Sequence, residues 1–222
     1  MKNILVVAAH PDDEALGAAG TLARHAAAGD AVHIAFLADG EGARGDKEGL
    51  EKRRKAARAA AKVIGAQNVS FYDFPDNRMD SIALLDVAQC IEEIIDQVNP
   101  QIIYTHHGGD LNIDHQITHR AVLTACRPMP GSQVEAVYGF EVLSSTEWAS
   151  PDQDAAFRPS HHVDIASYWE QKKKSLECYA DEMRDFPHVR SYKAVEALAT
   201  IRGAQVGLTM AESFTVIRQI KR

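Results

Sequence analysis

Cysteine is scarce in this sequence. There are three in 222 residues, at positions 90, 126 and 178, and none forms a CxxC pair. That removes any zinc site built on cysteine thiolates. Cys90 and Cys126 fall in apolar helical stretches and read as core thiols. A surplus of positive charge is also missing. Lys and Arg number 24 against 31 Asp and Glu, for a net charge of −7. A nucleic-acid binder usually carries a basic excess or stripe, so nucleic acid is not an expected partner. The basic clusters Lys52-Arg53-Arg54-Lys55 and Lys172-Lys173-Lys174 sit in helical patterns and read as solvated helix faces. No apolar run approaches the roughly 18 residues of a membrane span. Lys2-Asn3 precede only a short strand, with no cleavage-site pattern after it, so a cytoplasmic location is expected. There is no internal repeat and no low-complexity linker. One domain over residues 1–222 is expected, with core βα units in 1–145 and a C-terminal extension, 146–222, that completes the site.

What is present is alternation. Strand patterns at 3–8, 31–37, 69–74, 101–105 and 135–142 are separated by helical patterns near 14–28, 49–64, 81–97 and 114–126. Helices near 166–180 and 192–205 precede a last strand-like run at 213–217. Repeated βα units predict an α/β fold: a Rossmann-like, doubly wound, mostly parallel sheet with helices on both faces. The expected strand order is 3-2-1-4-5. Strands 1 and 4 then meet at the switch point, where ligands bind beyond the carboxyl ends.

The two loops at that point carry unusual residues. The first βα turn reads AAHPDDEALG, one His followed by three acids. The loop after strand 4 reads THHGGDLNIDHQITH, four His and two Asp in 15 residues. Clustered carboxylates repel one another unless a positive group sits among them. A divalent metal supplies one. His10 and Asp13 stand three apart across a turn that opens a helix, so both can converge on one ion. Asp12 between them is then available to take a proton from water, which metal coordination acidifies to a pKa of about 7. The bland alternative is that Asp12 or Asp13 caps the helix, with Glu14 favourable in its first turn. That accounts for one or two acids, not three beside a His. The absence of GxGxxG in this turn excludes a dinucleotide-binding fingerprint, and an acidic turn would repel a pyrophosphate.

AHPDDE after an N-terminal strand, with a downstream Asp-His opening a helix, resembles the PIG-L/LmbE-like deacetylases. TLARHAAAGDAVHIAFLADGEGA, FPDNRMD and AESF agree, so the resemblance covers nearly the whole chain. It implies a zinc-dependent enzyme that removes the acetyl group from an N-acetylglucosamine-type conjugate. It implies His10, Asp13 and His115 as metal ligands, Asp12 as general base, and Asp114 and Glu14 as residues behind the ligands. Iron(II) uses the same ligand types. His119 is an alternative third ligand, because His119-Arg120-Ala121-Val122 matches the HRAV that often ends the motif.

The sequence departs from the family at Asn112, where the common HPDH motif has a His that polarises the substrate carbonyl. An Asn amide can donate a hydrogen bond to an oxyanion but carries no charge. His106, His107 or Asp110 are candidates to share that role. For substrate contacts the resemblance points to Arg53 and to Asp76. Arg44 and Arg78 suit a phosphate or carboxylate on the aglycone, and Glu41, Asp46 and Asn77 lie in the same loops. Glu212 of AESF is expected to support the site or a neighbouring loop. His25, His33 and His188 read as structural or surface residues, and His161-His162 as lying near a loop that covers the site. Two rival readings stay open: a metal-dependent amidase acting on a non-sugar N-acyl compound, and a non-catalytic metal- or sugar-binding module. The family also makes a homo-oligomer plausible.

Overall fold

The computed structural model describes residues 1–38, 40, 47–150 and 156–221. Its centre is β1 (Asn3–Ala8), flanked on both sides by parallel strands, β2 (Ala31–Ala38) and β4 (Ile102–His106). A strand covered on both faces needs apolar residues at every position. Ile4, Leu5, Val6 and Val7 are accordingly all buried. Their alternation divides the core. Ile4, Val6 and Ala8 pack on one face of the sheet, and Leu5 and Val7 on the other.

β3 (Asn68–Phe74) pairs with β2, and β5 (Ala136–Phe140) with β4, both parallel, which gives the expected 3-2-1-4-5 order. The C-terminal region adds two strands. β7 (Ala211–Gln219) runs antiparallel to β5 and lies between β5 and β6 (His161–Asp164). β6 is absent from the sequence reading, because its four residues, HHVD, show no apolar alternation and are all half-buried.

α1 (Asp13–Gly17), α2 (Ala19–Ala27), α3 (Lys47–Ile64) and α6 (Trp169–Cys178) cover one face with α7 (Tyr192–Ala204). α4 (Leu84–Val98) and α5 (Ile113–Ala125) cover the other. The helix expected over 14–28 is broken at Ala18, whose φ is −145°. The break leaves carbonyls unpaired at the end of α1 and N–H groups unpaired at the start of α2. A buried ion pair satisfies both. Lys172 Nζ donates to Ala15 O (3.2 Å), Leu16 O (2.8 Å) and Glu212 Oε1 (2.6 Å). The Glu212 carboxylate accepts from Gly20 N (3.0 Å) and Thr21 N (2.7 Å). Glu212 therefore anchors the start of α2 and, through Lys172, the end of α1, the helix that carries Asp13 and Glu14.

Lys172 is a correction to the sequence reading. It lies on the inner face of α6 and is buried, whereas Lys174 is exposed. The close approach behind the break also requires glycine. A Cβ on Gly17 would stand 2.5 Å from the Phe140 ring, and one on Gly20 2.9 Å from Ile165.

Candidate active site

β1 ends at the floor of the site. The turn after it is knotted by short-range bonds: His10 N donates to Asp13 Oδ2 (2.8 Å), and Leu16 N donates to Asp12 O (2.9 Å). Asp12 occupies the N-cap position of α1, yet its side chain makes no capping bond. Its φ is +130°, a conformation that costs a non-glycine residue about 1–3 kcal/mol. The Glu14 carboxyl helps to hold it, since Asp12 N donates to Glu14 Oε2 (3.1 Å) while Tyr179 OH donates to Glu14 Oε1 (2.7 Å). Burial pushes the Glu14 carboxyl up to about 8. Burial likewise raises Asp12, against the pull of Arg53 and Arg190.

His10, Asp13 and His115 each place one ligand atom within 4.8 Å of the others, and all three are buried. A carboxylate backs each imidazole. His10 Nε2 lies 2.9 Å from Asp114 Oδ2 and 3.2 Å from Asp76 Oδ1. His115 Nδ1 lies 3.0 Å from Asp110 Oδ1, at ion-pair distance but off the hydrogen-bond direction. Such partners fix the orientation of a ligand imidazole. Burial lowers both histidines, but the surrounding carboxylates outweigh it. His10 ends well above its usual value and His115 at about 9. For Asp110, burial is outweighed by His115, Ser145 and Thr146, which hold it at about 2.

A second set, His10, Asp76 and Asp114, also meets the distance condition. Asp114 is already committed there, because its carboxylate accepts from Asn77 N (2.7 Å) and Met79 N (3.0 Å). It pins the loop after β3 to the start of α5. The His10–Asp13–His115 set is the better metal site. Two imidazoles and one carboxylate, all deprotonated when binding, form the donor set of catalytic zinc centres.

A cleft of about 180 Å³ opens over this cluster, its wall formed by Asp12, Arg53, Asp76, Asn112, Glu182 and Arg190. Asn112 caps α5, with Oδ1 accepting from Asp114 N (2.8 Å) and Nδ2 donating to Asn77 Oδ1 (3.2 Å). His106 is not brought to the cleft. It is fully buried beneath it, stacked on His115 with ring centroids 3.9 Å apart, and its Nε2 accepts from Ala9 N (2.8 Å). Burial, with His115 nearby, pushes it well below its usual value. His119 also faces away from the ligand cluster, donating from Nδ1 to His106 O (2.9 Å).

Arg78 is exposed at the turn before α4 and is not in the cleft wall. Arg44, Glu41 and Asp46 lie outside the described residues. His161 and His162 belong to β6, where His161 stacks on Tyr138 (4.4 Å) rather than near the cleft.

Two wall residues were missed by the sequence reading. Arg190 Nη1 donates to Asp12 Oδ2 (3.0 Å), while its Nε donates to Ser144 Oγ (2.5 Å). Glu182 pairs with Arg53 Nη1. Both come from the irregular segment between α6 and α7, where no periodicity marks them.

A mostly parallel sheet with a His–carboxylate cluster at its switch point places the chain in an enzyme class that contains deacetylases and hydratases. The chain belongs to the PIG-L family, whose model, described as GlcNAc-PI de-N-acetylase, matches residues 5–126. It is similar to a 4-oxalmesaconate hydratase of Pseudomonas putida, at 31% identity over 96% of this chain and 85% of the relative. It is also similar to a probable N-acetyl-alpha-D-glucosaminyl L-malate deacetylase 2 of Bacillus cereus, at 29% identity over 66% of this chain and 70% of the relative. The fold matches that of N,N'-diacetylchitobiose deacetylase from Pyrococcus horikoshii, with a TM-score of 0.78 at 17% identity over 97% and 84% of the two chains. No helix among the described residues is long and apolar enough to cross a membrane.

Proposed function

We propose that this chain is a metal-dependent hydrolase that removes the acetyl group from an N-acetylated amino-sugar conjugate. The observation that carries the reading is the position of Asp12. It is a buried carboxylate in the cleft wall, next in sequence to one ligand and two residues from another. His10, Asp13 and His115 would hold the ion, zinc first among candidates and iron(II) second. When bound, such an ion polarises a carbonyl and acidifies water.

The chain's own residues do the rest. Arg190 holds Asp12 Oδ2, and Oδ1 makes no hydrogen bond or ion pair among the described residues. Asp12 takes the proton of the attacking water and delivers it to the leaving nitrogen, so that acetate and a free amine result. The Asn112 amide, with a second N–H beyond the one given to Asn77, donates to the oxygen that gains charge. Asp76 and Arg53 contact the sugar hydroxyls. His106 is a positioning residue, because it packs against the ring of His115.

The test is acetate release from a panel of N-acetylglucosamine conjugates by zinc-loaded protein and by Asp12→Asn, with metal content measured on both. The expected result is full metal occupancy in both and a loss of about 10²–10⁴-fold in turnover for the variant. Turnover surviving the substitution removes Asp12 from the role. A metal-loaded wild type that cleaves none of the panel removes the sugar.

A second reading has its own support. The hydratase relative aligns over more of this chain than the deacetylase relative does, and Asn112 replaces the carbonyl-polarising His. The same Asp12 would then deprotonate water for addition to a carbon–carbon double bond. Loss of the conjugated absorbance of 4-oxalmesaconate, without acetate release from any amide, would decide for it.

A further inference from the structure

Among the described residues, two guanidinium groups face the cleft, and two carboxylates meet them. Arg190 Nη1 lies 3.0 Å from Asp12 Oδ2 and 3.7 Å from Glu182 Oε2. Arg53 Nη2 lies 3.6 Å from Asp12 Oδ2, and its Nη1 pairs with Glu182 Oε1. Counted over these four groups, the charges sum to zero. If Asp12 works as the base, Glu182 is the described carboxylate in ion-pair contact with both guanidinium groups. We propose that Glu182 sets the charge selectivity of the cleft. By neutralising the arginine pair it favours an uncharged, hydroxyl- or amide-bearing group at this wall and turns away a phosphate or carboxylate. The inference rests on the reading of this cleft as the substrate site, and it holds whichever bond is broken there.

Glu182 is built into the wall rather than parked there. Its side chain is only 12% exposed. It closes a short 3₁₀ turn, Ala180–Glu182, with its N–H donating to Tyr179 O (2.8 Å). Tyr179 is in turn fastened to Glu14 of α1, and Asp181 pairs with Lys52 of α3. A carboxylate that merely held the place of an anionic substrate would need to swing out on binding. This one would have to give up its ion pairs with the buried Arg53 and with Arg190, while the turn fixes its backbone in place. Asp76, another acid of the cleft wall, adds to the repulsion of an incoming anion. Arginine pairs otherwise recruit phosphates and carboxylates strongly, so a partner built in opposite them has a large effect on what binds.

The test is calorimetric titration of zinc-loaded protein with N-acetylglucosamine, N-acetylglucosamine 6-phosphate and succinate. Wild type, Glu182→Gln and the double variant Glu182→Gln/Arg190→Gln are compared. Wild type is expected to bind the neutral sugar at least tenfold tighter than its 6-phosphate. Glu182→Gln is expected to shift that ratio at least tenfold toward the phosphate and to bind succinate at least tenfold tighter. The double variant is expected to lose both gains, which a merely structural role for Glu182 would not produce. A wild type that prefers the 6-phosphate overturns the proposal, as does an unmoved ratio in a Glu182→Gln protein that melts like wild type. The wild-type ratio decides even where the variant does not fold. If neither sugar binds wild type, the amino-sugar reading fails while succinate still tests the charge.

Discussion

Lys172→Met isolates the staple that holds the HPDDE turn in place. Methionine keeps most of the side chain's apolar stem and removes only the ammonium. Glu212 then stays buried, 5% exposed, facing Gly20 N and Thr21 N without a counter-charge. Ala15 O and Leu16 O lose their donor. Removing one partner of a buried pair costs about 3–5 kcal/mol. The two N–H bonds that remain on Glu212 put this case at the low end, about 3 kcal/mol. For a chain of this length, about 2–4 °C per kcal/mol gives a melting point lower by about 6–12 °C. Circular dichroism melts and urea titrations of wild type, Lys172→Met, Glu212→Gln and the double variant measure it. The double variant should cost at least about 1 kcal/mol less than the sum of the singles, because the residues share one interaction. A melting point within about 2 °C of wild type, or strictly additive singles, would refute the reasoning.

The remaining expectations concern metal affinity and acid stability. Asp110→Asn should weaken metal binding about 10–100-fold by unsettling His115. Competition against a chromogenic chelator reads this, and an unchanged affinity would show that His115 is held by its ring stacking alone. Asp30 supplies the pH test, far from the cleft. Burial alone would raise its carboxyl, but the His25 hydrogen bond and the Lys2 amide outweigh that and hold it below 3.8. A carboxyl depressed on folding adds stability above its unfolded value and loses it as pH falls through the folded one. Wild type should therefore exceed Asp30→Asn in stability near pH 6, with the gap closing toward pH 2. A gap that stays constant over that range would count against the His25–Asp30 pair.

The parallel half of the molecule was legible because local pattern and global place agree there. Residues 4–8 are apolar throughout since β1 is covered on both faces, and the His and Asp after it stand at the switch point that the strand order defines. The C-terminal part was much less legible. β6 has no pattern of its own and exists because β7 offers it an edge. Glu182 and Arg190 lie in a segment of short turns whose shape depends on contacts with α1 and with the loop after β5. Lys172 looks like one more surface charge until the break at Ala18 supplies the carbonyls it caps. His106 carries the right chemistry at the right strand end, yet its ring stays beneath the cleft, where the Ala9 N–H claims its Nε2. One-dimensional spacing gives no sign of which face of a strand end a side chain takes.

The staple also has a kinetic meaning. Glu212 and Gly20 are 192 positions apart, and Arg190 and Asp12 178 apart. Contacts this distant in sequence form only after a very large loop has closed, and they place a fold among the slow, topologically demanding ones. The turn that carries His10, Asp12 and Asp13 is braced by residues 172, 190 and 212, all outside the five parallel strands. Chemical competence in this chain therefore depends on its C-terminal third, and a truncated chain with a complete HPDDE motif would still lack the Lys172, Arg190 and Glu212 contacts that hold the site.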